Sequence, residues 1–401
     1  MQWYYYIAWM LIIIDFFFLW FFCKNFIYAV SASWPHRKYY KPKTLLTVPC
    51  KGIDHSFEKN IASFILQNYP DFIINFVVES DRDPAYQKLN DLKNQYASIS
   101  KAKEINVLVA GITKKCSQKI QNLLHSYHNS PCDIEVLAFA DSDICVREDW
   151  LEDMVCLLNK NKTGVTTGYR WFVPEKNNLA SISLSIANAK IAQFLGKYAY
   201  NQVWGGSMAI TKENFKIFGI PEIWPDVVSD DYSLSYAVKK AGKKVVFIPS
   251  CVVASYEKTT WPKLFEFARR QFLITRVFMP HAWAFGLISS LYAVVGLFGS
   301  LAIAIYAMSA GLPNRGLYLA VPIVFVFCQL VNSLLRLFII KKRLKENFTK
   351  MKTTIIADFL ASPLYTIFIL ACVLSSAFGR VINWRGTRYR LISPSKTEVL
   401  L

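Results

Sequence analysis

The chain has 401 residues, 53% of them hydrophobic, and a mean hydropathy of +0.25, which is too high for an ordinary soluble enzyme. Its net charge of +18 would suit a nucleic-acid partner, but the sequence carries no recognition motif for one, so we expect no nucleic acid to bind. Membrane segments account for the composition better.

Four long apolar runs point to a membrane. They are Trp3–Cys23, Ala282–Asn314, Gly316–Leu335 and Thr353–Gly379. The only charged residues inside them are Asp15 and Asp358. Each run is long enough to cross a hydrocarbon core about 30 Å thick. The first run lacks the basic start and small-residue end of a signal peptide, so we expect a retained anchor.

Basic residues orient the chain. Lys24 to Lys51 contains six basic side chains and no acidic one, and the positive-inside rule places this side, with the polar region after it, in the cytoplasm. Nine cysteines without a Cys-x-x-Cys pair fit a reduced compartment. We therefore expect a multi-pass integral membrane protein with a cytosolic domain, in a bacterial inner membrane or a Golgi-type membrane.

The last apolar run leaves two topologies open. A full crossing by Thr353–Gly379 would carry the basic tail after it to the opposite side, which the charge rule disfavours. Asp358 and Ser362-Pro363 could instead break the run into a re-entrant or interfacial piece.

Between residues 44 and 255, β-rich runs alternate with helical patterns. The predicted strands are Thr44–Val48, Ile73–Val78, Ile105–Ala110, Val136–Ala140 and Val245–Ile248. The predicted helices include Phe57–Gln67, Ser117–His128 and Asp149–Asn159. This alternation predicts an α/β domain with a mostly parallel sheet and helices on both faces, in which ligands bind beyond the carboxyl ends of the strands.

Three acidic groups follow in a fixed order: Glu79 to Asp83, Asp141-Ser142-Asp143, and Asp230-Asp231. The second group directly follows a buried strand, where two carboxylates can hold Mg²⁺ or Mn²⁺ that also binds substrate phosphates. An isolated Asp-x-Asp would more simply be a solvated turn, but this one is not isolated. Asp230 and Asp231 open a predicted helix and diverge by about 100°, so we expect one of them to aim into the crevice.

Other residues at the same edge suit a nucleotide-sugar. Lys51-Gly52 follows the first strand, and Lys119 and Asn122 share a helix that Ser117 can cap, so cationic and amide groups could reach a pyrophosphate. The Gly205-Gly206 turn offers bare backbone for a close approach. Each lysine taken alone would more simply be a solvated surface residue.

The chain resembles ceramide glucosyltransferase and its bacterial relatives, which are membrane-bound family-two glycosyltransferases with a GT-A domain. The matching segments are Pro49-Cys50-Lys51-Gly52-Ile53-Asp54, Glu79 to Pro84, Lys119-Ile120-Gln121-Asn122, Asp141-Ser142-Asp143, Gly205-Gly206, Ser229-Asp230-Asp231-Tyr232 and Trp384-Arg385-Gly386-Thr387-Arg388-Tyr389-Arg390-Leu391. Each match is weak alone, but the ordered set is specific. The resemblance implies a GT-A nucleotide-sugar-binding domain with N- and C-terminal transmembrane helices.

The resemblance also implies roles. Asp231 would be the general base with Asp230 beside it, while Asp143 and Asp141 would hold Mg²⁺ or Mn²⁺ on the diphosphate. The implied nucleotide-sugar-binding residues are Pro49, Lys51, Gly52, Glu79, Asp81, Lys119, Asp141, Gly205, Gly206, Arg270 and Gln271.

Two departures from the family pattern stand out. Ser80 replaces an aspartate that would bind uracil, so Glu79 or Asp81 must take over that contact. The family's Gln/Arg-x-x-Arg-Trp element becomes Arg269 to Arg276 without its tryptophan, so the acceptor can differ from ceramide.

These observations predict four regions. Residues 1–25 are an N-terminal anchor, 40–260 a cytosolic GT-A domain, 261–280 an interfacial amphipathic helix, and 281–401 a membrane region of two to three spans with a basic tail. The expected activity is inverting transfer from a nucleotide-diphosphate sugar, in particular a UDP-hexose, to a membrane lipid hydroxyl such as that of ceramide, a hopanoid or diacylglycerol. The alternatives are a processive polysaccharide synthase and a non-catalytic membrane scaffold.

Overall fold

The computed structural model describes residues 2–32, 40–54, 56–113, 115–197, 200–384 and 386–400. The helices are α1 (Gln2–Ser31), α2 (Phe57–Ile65), α3 (Pro84–Tyr96), α4 (Gln118–His128), α5 (Trp150–Val155), α6 (Leu179–Ala192), α7 (Lys212–Ile217), α8 (Ile220–Ile223), α9 (Asp230–Lys240), α10 (Trp261–Phe278), α11 (Pro280–Ser309), α12 (Arg315–Arg343) and α13 (Lys352–Ser375). The strands are β1 (Thr44–Pro49), β2 (Phe72–Val78), β3 (Glu104–Val109), β4 (Val136–Ala140), β5 (Thr163–Pro174), β6 (Ser207–Thr211), β7 (Lys244–Glu257), β8 (Val381–Trp384), β9 (Thr387–Ser393) and β10 (Lys396–Leu400).

Seven strands form the central sheet in the order β3-β2-β1-β4-β6-β5-β7. All neighbouring strands are parallel except β6, which runs antiparallel to β4 and β5. Because β1 to β4 run the same way, their carboxyl ends meet at one edge, which is where the acidic groups were expected. The mostly parallel sheet that the sequence predicted is confirmed.

Alternate residues of the strands supply two separate cores. Along β1, Leu46 and Val48 pack against α2, α3 and α5, whereas Leu45 packs against α4, α7 and α9. This division follows from the period of two in a strand, which points successive side chains to opposite faces. The helices therefore cover both faces of the sheet, as expected.

The predicted strands correspond to β1 to β4 and β7, and the predicted helices to α2, α4 and α5, although α5 ends at Val155, before the predicted Asn159. The pattern missed β5 and β6. Strand β6 begins at Ser207, directly after the glycine pair that was interpreted as a turn, and it pairs antiparallel in an otherwise parallel arrangement. That pairing depends on tertiary contacts rather than on local sequence.

Four helices, α1, α11, α12 and α13, are long and apolar enough to cross a membrane. Helix α13 is continuous through Pro363, so the break considered at Ser362-Pro363 does not occur. The Lys190 ammonium donates to the Ser362 carbonyl at 2.8 Å and to the Thr366 hydroxyl at 2.6 Å, which satisfies polar groups beside the proline.

The last three strands, β8 to β10, form a small antiparallel sheet at the end of the chain. Ile382, Tyr389 and Leu391 of this sheet pack with Leu273 of α10 and with Val228, which precedes α9. The tail that carries part of the family resemblance is therefore folded onto the α/β domain. Arg385 of that tail lies outside the described residues.

Candidate active site

Lys119 lies at the centre of a cluster of carboxylates. Its Nζ is 2.7 Å from Asp141 Oδ1 and 3.0 Å from Asp230 Oδ2. Lys119 stands in the first turn of α4, whose capping residue Ser117 accepts a hydrogen bond from the Ile120 amide. Asp141 follows β4 and Asp230 begins α9. Three elements far apart in sequence thus bring these charges together at the carboxyl edge of the sheet.

The cluster shifts the titration of its members. Burial opposes the charged form of Lys119, but Asp141 and Asp230 outweigh it and raise the pKa of the ammonium above its ordinary value. Burial raises the pKa of Asp230 to about 6, with Lys119 opposing the rise and the neighbouring Asp231 and Asp141 adding to it. Perturbed groups that converge in a crevice are typical of a functional site.

The Gly205-Gly206 turn lets the backbone approach these charges. A Cβ on Gly205 would lie 2.4 Å from Asp230 Oδ2 and 2.9 Å from Lys119 Nζ, and one on Gly206 would lie 2.6 Å from Asp141 Oδ2. Any side chain here would displace the carboxylates. Glycine is therefore required at both positions by the close approach, not by an unusual φ.

Asp231 also faces this turn. Its Oδ2 accepts a hydrogen bond from the Gly205 amide at 3.4 Å, while its Oδ1 accepts from the Ser229 hydroxyl and from the Tyr232 amide at 2.8 Å. Asp230 and Asp231 therefore both approach Gly205, and the expectation that only one would aim into the crevice is wrong. Two divergent side chains can flank the same backbone when that backbone carries no side chain of its own.

Asp143 faces a residue that the sequence analysis missed. Arg170 of β5 has its Nη1 4.0 Å from Asp143 Oδ2, and its guanidinium lies 4.5 Å from the ring centroid of Phe172 and 5.7 Å from those of Trp204 and Phe267. Partial desolvation, followed by the Asp141 charge, raises the pKa of Asp143, whose side chain is still 47% exposed, while Arg170 opposes the rise. A single arginine inside an otherwise uncharged β-rich run was the available signal.

The donor set at Asp141 and Asp143 fits a hard divalent cation. Both offer carboxylate oxygens, the ligands that Mg²⁺ and Mn²⁺ take. In the part of the chain that the structure describes, no group of three His, Cys, Asp or Glu side chains is arranged to hold a metal ion. A cation here would therefore complete its coordination with water and substrate phosphate, as Mg²⁺ commonly does.

The residues after β1 and β2 form a second, more exposed group. Lys51 Nζ lies 2.9 Å from Glu79 Oε2. Gly52, which directly follows Lys51 and adopts a φ of +68°, donates its amide to Asp83 Oδ1 at 2.9 Å. Asp83 also caps α3. The loop that carries Pro49, Lys51 and Gly52 is thus tied to the loop that carries Glu79.

Two residues at this edge that were expected to contact the nucleotide-sugar have other hydrogen-bond partners. Asp81 is exposed and accepts a hydrogen bond from the Ser80 hydroxyl at 3.3 Å. Asn122 is buried and donates its amide to the Val77 carbonyl at 2.9 Å, so the idea that it reaches a pyrophosphate is wrong. Asn122 instead ties α4 to β2.

Arg270 and Gln271 lie on α10 rather than among the central carboxylates. Arg270 lines a cavity of about 310 Å³ between α10 and the small C-terminal sheet, together with Arg269 and Arg388. Its Nη1 is 3.5 Å from the Asn383 carbonyl oxygen, and its guanidinium is 5.6 Å from the Phe267 centroid. Phe267 thus stands beside both Arg170 and Arg270, so the cavity neighbours the crevice.

The architecture is also found in solved structures. The mannosyltransferase PcManGT from Pyrobaculum calidifontis, in complex with GDP-Man and Mn2+, matches with a TM-score of 0.51 and 13% identity, over 92% of this chain and 96% of that chain. GalNAc-T7 with UDP, GalNAc and Mn2+ matches with a TM-score of 0.39 and 14% identity, over 57% of this chain and 48% of that chain. The domain has the GT-A fold.

The sequence identifies the family. Residues 7–397 match the family model of Glycosyl transferase family 21. The chain therefore belongs to Glycosyl transferase family 21, the ceramide glucosyltransferase family, and it is a membrane-associated glycosyltransferase. The number of this family is 21, whereas the sequence analysis had described the resemblance as one to family two.

Proposed function

We propose that the protein is an inverting glycosyltransferase that moves a hexose from a UDP-sugar to a hydroxyl group of a membrane lipid. The observation that carries the proposal is the convergence of Lys119, Asp141, Asp230 and Asp231 on the Gly205-Gly206 backbone. One ammonium beside several carboxylates in a crevice is costly for folding, so a scaffold without catalysis would gain nothing from it.

Asp231 acts as the general base in this proposal. It is half-buried beside the bare backbone of Gly205, where an acceptor hydroxyl can come within hydrogen-bond distance of its Oδ2. Asp230 has a different task, because its carboxylate is held by Lys119 at 3.0 Å. A single base opposite the leaving group gives one displacement and therefore inversion at the anomeric carbon.

The leaving diphosphate needs positive charge. Lys119 and Arg170 lie beside Asp141 and Asp143 and supply two cationic groups from the protein. We propose that Asp143 and Asp141 hold Mg²⁺ or Mn²⁺, which would neutralise charge on the diphosphate oxygens. The Mn2+ in the PcManGT complex supports this assignment.

The acceptor side borders α10 in this proposal. The Tyr232 hydroxyl, next to Asp231, lies 2.6 Å from the Thr275 hydroxyl of α10, so α10 flanks the base. Trp261 and Phe265 of α10 are exposed, whereas Leu273 is buried against the domain. An exposed aromatic pair at the start of α10 supports its role as a helix at the membrane surface.

The test is incubation of membranes that contain the protein with a panel of radiolabelled UDP- and GDP-hexoses, followed by lipid extraction. We expect label from a UDP-hexose in the lipid fraction and none in membranes with the Asp231→Asn variant. Label from a GDP-sugar alone would correct the donor. Label in an ethanol-precipitated polymer instead of lipid would favour the processive synthase.

A further inference from the structure

Helix α13 differs from the other long apolar helices in where it lies. At 24 residues it is about 36 Å long, which would suffice for a crossing. Helices α1, α11 and α12 share a buried apolar core that includes Tyr4, Ala304 and Val321. Every buried residue of this core lies on one of these three helices. This core contains no residue of α13 or of the catalytic domain, although Ala29 of α1 and Ile339 of α12 pack on that domain elsewhere.

The start and middle of α13, by contrast, contact the catalytic domain. Met351, which precedes the helix, packs in a buried cluster with Trp171 of β5. About two turns before the end of the helix, the Phe368 ring lies 5.6 Å from the Trp261 ring at the start of α10. Between these points Lys190 of α6 donates to Ser362.

The end of α13 also contacts α10. The Ser375 carbonyl accepts a hydrogen bond from Arg269 Nε at 3.3 Å, and the Phe378 carbonyl just beyond accepts from Arg269 Nη2 at 3.1 Å. Arg276 donates to the Gly379 carbonyl. Helix α10 itself packs on the catalytic domain, through Leu264 against Phe172 and Leu273 against Val228. A helix that starts on this domain and ends on α10 cannot carry the chain to the far side of a bilayer.

The two faces of α13 differ in character. The face toward the protein is polar over the first four turns, where Thr354, Asp358, Ser362 and Thr366 are buried, and apolar near the end of the helix, where Leu370, Cys372 and Val373 are buried. The opposite face is a stripe of large apolar side chains that are exposed: Ile356, Leu360, Leu364, Ile367 and Leu374. Leu360 is 80% exposed. Polar groups that face the protein and apolar side chains that face outward show which side of α13 meets lipid.

Charge at both ends supports the same placement. Lys350 and Lys352 are exposed at the start of α13, and Arg380 is exposed after its end. Basic residues at both ends suit the anionic headgroups of one leaflet. The apolar stripe continues onto Phe378, which is 77% exposed.

We propose that α13 lies in the plane of the bilayer, with its apolar stripe in the leaflet that faces the catalytic domain, and that the chain crosses the membrane three times, through α1, α11 and α12. The C-terminal sheet then stays on the catalytic side. This also explains how it packs against Val228, three residues before Asp231. The inference concerns the bilayer and does not depend on which sugar is transferred.

Cysteine labelling of the full-length protein in sealed vesicles tests the topology. In a Cys132→Ser background, which removes an exposed native thiol, single cysteines replace Ser98 in the catalytic domain, Ser309 at the end of α11, and Ser395 in the C-terminal sheet. We expect a membrane-impermeant maleimide to label Ser395→Cys in the same vesicle orientation as Ser98→Cys and opposite to Ser309→Cys. Labelling of Ser395→Cys together with Ser309→Cys would overturn the proposal.

Spin labels measure the depth of α13 directly. Labels at Ile356, Leu364 and Leu374 span about 27 Å along the helix axis, because the rise is 1.5 Å per residue. If α13 lies in the plane of the bilayer, the ratio of accessibility to oxygen over accessibility to a polar relaxant should be the same at all three positions and should correspond to a shallow depth. A crossing helix would place Leu364 much deeper than the other two, and that profile would refute the inference without reference to activity.

Discussion

Two ionic clusters among the described residues differ in their balance of charge and in their access to solvent. In the crevice, Lys119 has two carboxylate partners, and Asp231 and Asp143 stand nearby. Between two of the long apolar helices, Arg336 of α12 donates two hydrogen bonds to Asp358 of α13, at 2.7 and 2.9 Å. The first cluster has more acid than base, whereas the second is a matched pair.

The Arg336–Asp358 pair also differs from the crevice cluster in how fully it is hydrogen-bonded. Arg336 also donates to the side chains of Gln193 and Ser333, so both ends of its guanidinium have partners. Such a saturated pair links α6, α12 and α13 but leaves little for a ligand to bind. The crevice cluster instead borders bare backbone at Gly205 and Gly206, and the two clusters should respond differently to substitution.

The largest effect should come from the base. Asp231→Asn keeps the size and hydrogen-bonding capacity of the side chain but removes the proton acceptor, so we expect turnover to fall by roughly 10² to 10⁴. Donor binding, measured by calorimetry, should be nearly unchanged. Asp230→Asn should be milder in turnover, and the assignment is wrong if Asp230→Asn is inactive while Asp231→Asn keeps most of its activity.

The next effect concerns the metal. Asp143→Asn removes a charged oxygen ligand, and we expect it to weaken Mg²⁺- or Mn²⁺-dependent donor binding by roughly 10²-fold. Chelation with EDTA should lower wild-type turnover in parallel. Asp91→Asn, a substitution of an exposed aspartate on α3, is the matched control. Unchanged donor affinity and no response to EDTA would remove the metal from the site.

Breaking the Arg336–Asp358 pair should lower the stability of the protein. Arg336→Met leaves the buried Asp358 carboxylate without its cation, and we expect a loss of about 3 to 5 kcal/mol, measured as thermal unfolding of the solubilised protein. Replacing both partners, as Arg336→Met with Asp358→Leu, should restore most of it. The equivalent double change in the crevice, Lys119→Met with Asp230→Asn, should not restore turnover. Recovery of turnover there would show that the two clusters are alike.

The smallest effect tests the close approach. Gly205→Ala brings a Cβ within 2.4 Å of Asp230 Oδ2, so the Asp230–Lys119 pair must shift, and we expect turnover to fall roughly tenfold with the fold intact. Gly286→Ala on α11, where a Cβ meets no atom within 4 Å, is the control. Circular dichroism of both variants checks folding. Equal turnover in the two variants would mean that the pair can relax freely.

Local pattern was enough for part of the fold. The short apolar strands β1, β2 and β4 are followed by loops that carry Lys51, Glu79 and Asp141. The sequence identified all three because strand composition and a following polar loop are local signals. The same reasoning predicted the four long apolar helices, whose hydropathy does not depend on neighbours. The carboxyl-edge location of the acidic groups followed from the parallel arrangement.

Tertiary structure decided what those signals could not. The contacts of Lys119 with Asp230 and of Asp143 with Arg170 join residues that are distant in sequence, and Arg170 lies on a strand that local pattern did not separate from its surroundings. The proposed direction of α13 likewise rests on the contacts of Met351 with β5 and of Ser375 with α10. Hydropathy measures how apolar a helix is, but only packing determines whether it crosses a bilayer or lies along it.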